Sequence, residues 1–286
     1  MSTNSIITNT LSNTAQRFLD INNKRVGQSI ERISFGTRVN RGADNVASLA
    51  VSESLRSDVR ALRQGSRNLN DGISMINIIE GALNEQAGAF IRLKELATQG
   101  ASGTIGQFER QTLQLEFSSL VAEIDRIAAT TEFNGKTLLD GSLAQTVQAS
   151  EQASVQIGVN SENASRINLN VELDLNASNS TKLGISNLSV TTTADAQKTL
   201  DQIDISLGSL NSTRGRTGAL QNRFLKALGN LGVSIENLTA ADSSIRDADI
   251  AEEIAQLTRN QIIAQASVSM VGQTNLSGQN LLNILQ

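Results

Sequence analysis

Between Leu55 and Ala97 the chain steps by alternating fours and threes through Leu55, Val59, Leu62, Ser66, Leu69, Ile73, Ile76, Glu80, Leu83, Ala87, Phe90, Lys94 and Ala97. A heptad seam that long without a slip predicts one coiled-coil helix on the order of 60 Å long, at about 1.5 Å of rise per residue. A helix with a single apolar stripe cannot bury it alone. The partner stripe lies near the other end of the chain: Leu200, Ile203, Leu207, Leu210, Arg214, Thr217, Gln221, Phe224, Leu228, Leu231, Ile235 and Leu238. A shorter third seam, Leu113, Phe117, Leu120, Ile124 and Ile127, falls between them. The pattern predicts a mainly α protein, a long coiled-coil helical rod formed by the N- and C-terminal halves. Polar seam positions such as Glu80, Lys94, Arg214 and Gln221 are expected to restrict register at some cost in stability.

Both ends carry thinner stripes. The first arm runs Ile7, Leu11, Ala15, Phe18, Val26, Ile30 and Ile33, with Asn22 filling the gap. The last runs Ile250, Ile254, Leu257, Gln261, Ala264, Val268 and Val271. Helices this weakly amphipathic are marginal alone, because tertiary burial supplies most helix stability. Charge separates the arms. Arg17, Lys24, Arg25, Arg32, Arg38 and Arg41 outnumber Asp20 and Glu31 in the first, whereas Asp247, Asp249, Glu252 and Glu253 dominate the second. Opposite charge suits the two arms to each other. The stretch Phe35 to Asn45, with Gly36 and Gly42, reads as a hinge whose Asp44 caps the long helix.

The pattern changes at Thr131. Asn134-Gly135 fits a tight hairpin turn, and Ile167, Leu169, Val171 and Leu173 alternate at strand period. A small β-hairpin-rich central insert, facing solvent, is expected there.

Composition narrows the chemistry. The chain of 286 residues has no Cys, His, Trp, Tyr or Pro. The usual zinc ligands, every thiol nucleophile and the usual base near neutral pH are therefore missing, and no enzyme, cofactor or metal is expected. Long helices without Pro agree with the seams. A net charge of −4 and 2% aromatic residues speak against nucleic acid. No window is apolar enough to span a membrane, and no cleavable leader is recognisable, so export would need another route. The carboxylates at Asp247, Asp249, Glu252 and Glu253 read as helix N-terminal acids in preference to a metal site. GASGTIG, Gly100 to Gly106, lacks the Lys and the strand context of a phosphate loop.

Several segments together resemble bacterial flagellin: SIERISFGTRVN (Ser29 to Asn40), RNLNDGIS (Arg67 to Ser74), KELATQ (Lys94 to Gln99), EIDRIAATTEFNGKTLLDG (Glu123 to Gly141), GALQNRF (Gly218 to Phe224) and ENLTAADSSIRDADIAEE (Glu236 to Glu253). The resemblance implies a filament subunit. It would have an inner domain of two pairing arms (1–43 and 244–286) and a rod domain (44–243) whose 131–196 portion is outer and variable. Its partners would be further copies of itself, the flagellar cap and hook-filament junction proteins, a cytoplasmic export chaperone and the flagellar type III export apparatus. Its location would be the extracellular filament. Positions matching Arg92, Leu96 and Glu116 lie, in the family, on the surface read by the vertebrate Toll-like receptor for flagellin, and also contribute to contacts between subunits. The related hook-filament junction protein is the alternative reading, and GALQNRF favours the filament subunit.

Overall fold

The computed structural model describes the backbone of residues 9–284 and the side chains of residues 9–276. Helices dominate: α1 (Thr10–Phe35), α2 (Val46–Ala101), α3 (Gln107–Thr130), the short α4 (Leu169–Leu173), α5 (Thr193–Arg246) and α6 (Ile250–Ile284). Four short strands, β1 (Glu132–Phe133), β2 (Lys136–Thr137), β3 (Ser154–Gln156) and β4 (Arg166–Asn168), form two separate antiparallel pairs, β1 with β2 and β3 with β4. The chain divides into two compact units. One joins the residues up to Ser57 with those from Asn237 onward; the other spans Asp58–Glu236.

In the Asp58–Glu236 unit the heptad seams close as the periodicity requires. Val59, Leu62, Leu69, Ile76, Leu83, Ala87, Phe90 and Ala97 are buried on α2, against Ile203, Leu210, Phe224 and Leu231 of α5 and Phe117 and Ile124 of α3. The polar seam positions are paired across the two long helices. Arg214 meets Glu80 at 2.9 Å, the Gln221 amide donates to Asn77 at 2.9 Å, and Lys94 meets Asp204 at 2.5 Å. These pairs fix α2 antiparallel to α5 in one register.

α2 buries a second stripe that apolar counting does not see. Gly65, Gly72, Ile79, Gln86, Leu93 and Gly100, seven residues apart, are all buried. A Cβ on Gly72 would lie 2.5 Å from the Phe224 ring, and one on Gly65 would lie 2.4 Å from the Ile157 carbonyl oxygen. Gln86 fastens the insert: its amide donates to the carbonyls of Ser178 (2.9 Å) and Ile124 (3.3 Å) and accepts from Ser178 Oγ (2.5 Å).

The insert departs from the sequence reading in two ways. The hairpin turn at Asn134-Gly135 is present, with φ of 52° and 74°, and joins β1 to β2. The alternation from Ile167 to Leu173, however, is not one strand. β4 ends at Asn168, whose side chain accepts from the backbone N–H groups of Asn170 and Val171 and starts α4. Leu169 and Leu173, four apart, then bury together, while Val171 is exposed. Away from these short ladders the insert is loop, anchored by buried Leu138, Leu139, Leu143, Leu175, Ile185 and Val190, so it covers the helices as well as facing solvent. The start of α2 also differs: Asn45 accepts from Ser48 N–H and caps the helix, whereas Asp44 accepts from the N–H groups of Asn40 and Arg41 and closes the turn before it.

Candidate functional site

The terminal unit is built around α1 and α6. Asn9 starts α1 by accepting from the Ser12 N–H, and Gly36, at φ 68°, ends it. The chain then crosses the α5–α6 junction. Arg38 N–H donates to the Arg246 carbonyl (2.7 Å), Ala248 N–H donates to the Gly36 carbonyl (3.0 Å), and the Arg38 guanidinium donates to the Ile245 carbonyl (2.9 Å). Asp249 accepts from Ala251 and Glu252 N–H groups and starts α6. Ser52 Oγ donates to Asp242 at 2.5 Å, tying α2 to α5 within the same unit.

α1 and α6 run antiparallel along a strict heptad. On α6 the positions withdrawn from solvent are Glu253, Leu257, Asn260, Ala264, Ser267, Val271 and Thr274; on α1 they include Ser12, Ala15, Leu19, Asn22, Val26, Ser29 and Ile33. Every second layer is polar. Asn22 donates to Ser267 (3.0 Å), Asn260 to Ser29 (3.4 Å), Ser12 to Asn275 (2.9 Å), and Asn9 to the Thr274 carbonyl (3.2 Å). An alternation of apolar and hydrogen-bonded polar layers fixes register while lowering the apolar area that holds the pair shut.

This arrangement divides the apolar residues of the two arms. Val26, Ile33, Leu257, Ala264 and Val271 lie in the closed seam. Leu11, Phe18, Ile30, Ile250, Ile254 and Val268 do not, and are 63, 54, 49, 41, 50 and 57% exposed. Ile7 lies outside the described residues. Ile21, Ile262, Ile263, Met270 and Leu276 add to the exposed set, and no apolar count along one stripe points to them. Serine and asparagine at the true seam positions are what shifted the apparent stripe one residue sideways.

Charge pairs the arms at one end only. Arg32 meets Glu253 at 3.0 Å, the one ion pair between α1 and α6 among the described residues. Arg17, Lys24 and Arg25 face a part of α6 with no charge, since no charged residue follows Arg259. The antiparallel register therefore confines the pairing of opposite charge between the arms to the Arg32–Glu253 end. Three of the four acidic residues are used locally: Asp249 as a cap, Asp247 as acceptor from Ser243 (2.6 Å), Glu253 with Arg32. No group of metal-ligating side chains occurs among the described residues.

In the other unit Arg92 joins α2 to α3 through Glu116 (2.6 Å) and also meets Glu95 (2.9 Å). Its hydrogen bonds to Glu116 first, then to Glu95, hold the guanidinium above the ordinary arginine value. Leu96 is fully buried, so it supports this surface from beneath, and exposed Ile91 is the apolar member of the face.

The structure thus defines a helical protein whose terminal helices close on each other through half-polar layers and leave large apolar side chains outside. Residues 6–144 match the bacterial flagellin N-terminal helical region, and residues 200–285 match the bacterial flagellin C-terminal helical region. The chain is 37% identical over 279 residues to a flagellar filament 30.7 kDa core protein of Treponema maltophilum, covering 95% of this chain and 96% of that one. It is also 37% identical over 295 residues to the flagellin of Bacillus subtilis, covering 96% and 97%. The crystal structure of Bacillus cereus flagellin aligns at a TM-score of 0.47 and 26% identity, over 58% of this chain and 88% of that one. The chain belongs to the bacterial flagellins. No described helix is long and apolar enough to cross a membrane.

Proposed function

We infer that this flagellin is a structural core subunit of the helical filament that bacteria rotate to swim, with no catalytic role. The observation that carries the reading is the outward set on the terminal pair, Leu11, Phe18, Ile30, Ile254 and Val268. Burying a side chain of this kind contributes about 1.5–3 kcal/mol, which several copies packed together recover and one copy alone forgoes. Head-to-tail contacts that do not close into a ring generate a helical filament. Because the seam of the pair is half polar, the arms are weakly held in a free subunit, and their ordering is completed on polymerisation.

In this reading residues 1–43 and 244–286 form the inner part of the filament, 44–243 the rod domain, and 131–196 its outer portion. The subunit leaves the cell without a cleaved signal through the flagellar type III apparatus, escorted by a cytoplasmic chaperone. It is added beneath the cap onto a filament seated on the hook-filament junction proteins. The Arg92–Glu116 face serves subunit contact, and the same face is offered to the vertebrate Toll-like receptor for flagellin; comparing receptor binding of the chain with Arg92→Ala tests that part.

The central test is assembly. Purified chain seeded with sheared filament ends is expected to grow long filaments by electron microscopy, and variants lacking residues 1–40 or 244–286 are expected to stay helical without growing. Limited proteolysis of the free subunit is expected to trim the ends before the Asp58–Glu236 unit. Arms as resistant as that unit, or filament growth without either arm, overturn the reading.

A further inference from the structure

We propose that the exposed basic face of α1 docks the acidic first turns of α6 from a second copy of this chain, displaced along the arm axis. This rests on the filament reading and specifies one of its contacts. Arg17, Lys24 and Arg25 make no ion pair among the described residues, and their own α6 offers no acid at their level. Arg17 lies over the ring of its neighbour Phe18, 5.9 Å from the centroid, and Phe18 is itself more than half exposed. The face is thus an exposed apolar residue beside three cations without a salt bridge, with Asp20 the one acid among them.

The complementary face is on the same chain but out of reach. Glu252 is exposed at the start of α6, unpaired among the described residues and flanked by exposed Ile250 and Ile254. The hydrogen bonds from Asn22 to Ser267 and from Asn260 to Ser29 set the register. With that register Lys24 stands at the level of Gln265, so Glu252 is about 13 residues away, roughly 20 Å at 1.5 Å per residue. An intrachain contact is excluded by that distance. A neighbouring copy shifted by a similar amount brings its Glu252 to Lys24 and Arg25 and sets its Ile254 about one helical turn along the axis from Phe18. Each copy then offers one face upward and the other downward, which is a head-to-tail interface that propagates. Unmatched charge at such a surface acts chiefly on partner choice and register, since like charges brought together there repel.

The test uses full-length chain. Lys24→Glu with Arg25→Glu is expected to keep the circular dichroism of the free subunit and to raise the critical concentration for growth roughly tenfold, and Glu252→Lys to do the same. Combining all three changes in one chain is expected to restore growth to within about threefold of the unmodified protein. The neutral Lys24→Gln with Arg25→Gln gives a smaller rise and keeps the readout where reversal disturbs the subunit. Growth of both reversed variants at the unmodified concentration, or no recovery on combination, overturns the contact while leaving the filament reading standing. An unmodified chain that does not polymerise removes the filament reading and this contact together.

Discussion

The Asn22 side chain donates to Ser267 Oγ at 3.0 Å, at a layer of the α1–α6 seam where a coiled coil normally places leucine or isoleucine. Together with Ser29 and Asn260 one heptad along, it makes the contact between the arms specific in register and thin in apolar area. In the proposed function the arms stay separable before assembly and then hold one alignment. A seam that alternates Leu19 or Val26 with Asn22 or Ser29 meets both requirements.

Replacing the polar layers with apolar ones reverses that balance. Asn22→Leu combined with Ser267→Leu is expected to stabilise the arm pair in the free subunit by about 1.5–3 kcal/mol, since a hydrogen-bonded polar layer is exchanged for buried apolar area. The arms become more resistant to limited proteolysis, while filament growth slows because alternative registers are no longer penalised. Arms digested at the unmodified rate contradict the account.

The second stripe of α2 makes a sharper prediction. Gly72→Ala places a methyl group 2.5 Å from Phe224, a fully buried ring, and is expected to destabilise the Asp58–Glu236 unit by about 1–3 kcal/mol. Gly81, on the same helix, has nothing within 4 Å of a Cβ. Gly81→Ala is therefore expected to stabilise by about 0.5–1 kcal/mol through helix propensity alone. Urea titration of the two variants measures both signs.

These two glycines also show what was legible in the sequence. The heptads of α2, α3 and α5 gave the helices and their partners, because leucine and isoleucine report burial directly, but not their ends: α5 runs from Thr193 to Arg246, past the seam's Leu200 and Leu238. Gly72 and Gln86 are buried as deeply, yet neither type signals it: a glycine is buried by what approaches it, and a glutamine by what it bonds to. The same limit misplaced the arm seam, where Ser29 and Asn260 sit inside and Ile30 and Ile254 outside. Ile167 to Leu173 failed for another reason, since an Asn168 cap converts strand-like alternation into a helical turn.

Gln86 is expected to be among the costliest polar positions. Gln86→Leu leaves Ser178 Oγ and the Ser178 carbonyl without the partner they have in the buried interior, whereas the Ile124 carbonyl keeps its bond within α3; the loss is about 1–3 kcal/mol for each group left unsatisfied. Because the amide joins α2 to both α3 and the insert, hydrogen exchange is expected to rise around Ser178 before it rises in α5. Uniform loss of protection across the unit would mean that Gln86 contributes packing and not the clamp.

Asp44 gives the hinge between α1 and α2 a pH signature. The Arg41 N–H, donating at 2.9 Å, is the first cause holding its carboxyl below the ordinary aspartate value of 3.8; burial is the next and opposes it, and the Asn40 N–H and the nearby Arg32 and Arg41 charges add to the lowering. A carboxyl depressed in the folded chain contributes stability that is complete above its unfolded value and lost as pH falls through its folded value. Asp44→Asn is therefore expected to melt below the unmodified chain at pH 7. The gap should hold down to about pH 4 and close below it, as the native carboxyl takes up its proton. An equal gap at pH 7 and pH 2.5 would show that the hinge turn depends on the shape of the side chain and not on its charge. A gap that widens in acid would reverse the sign of the linkage and place the stabilising proton elsewhere in the hinge.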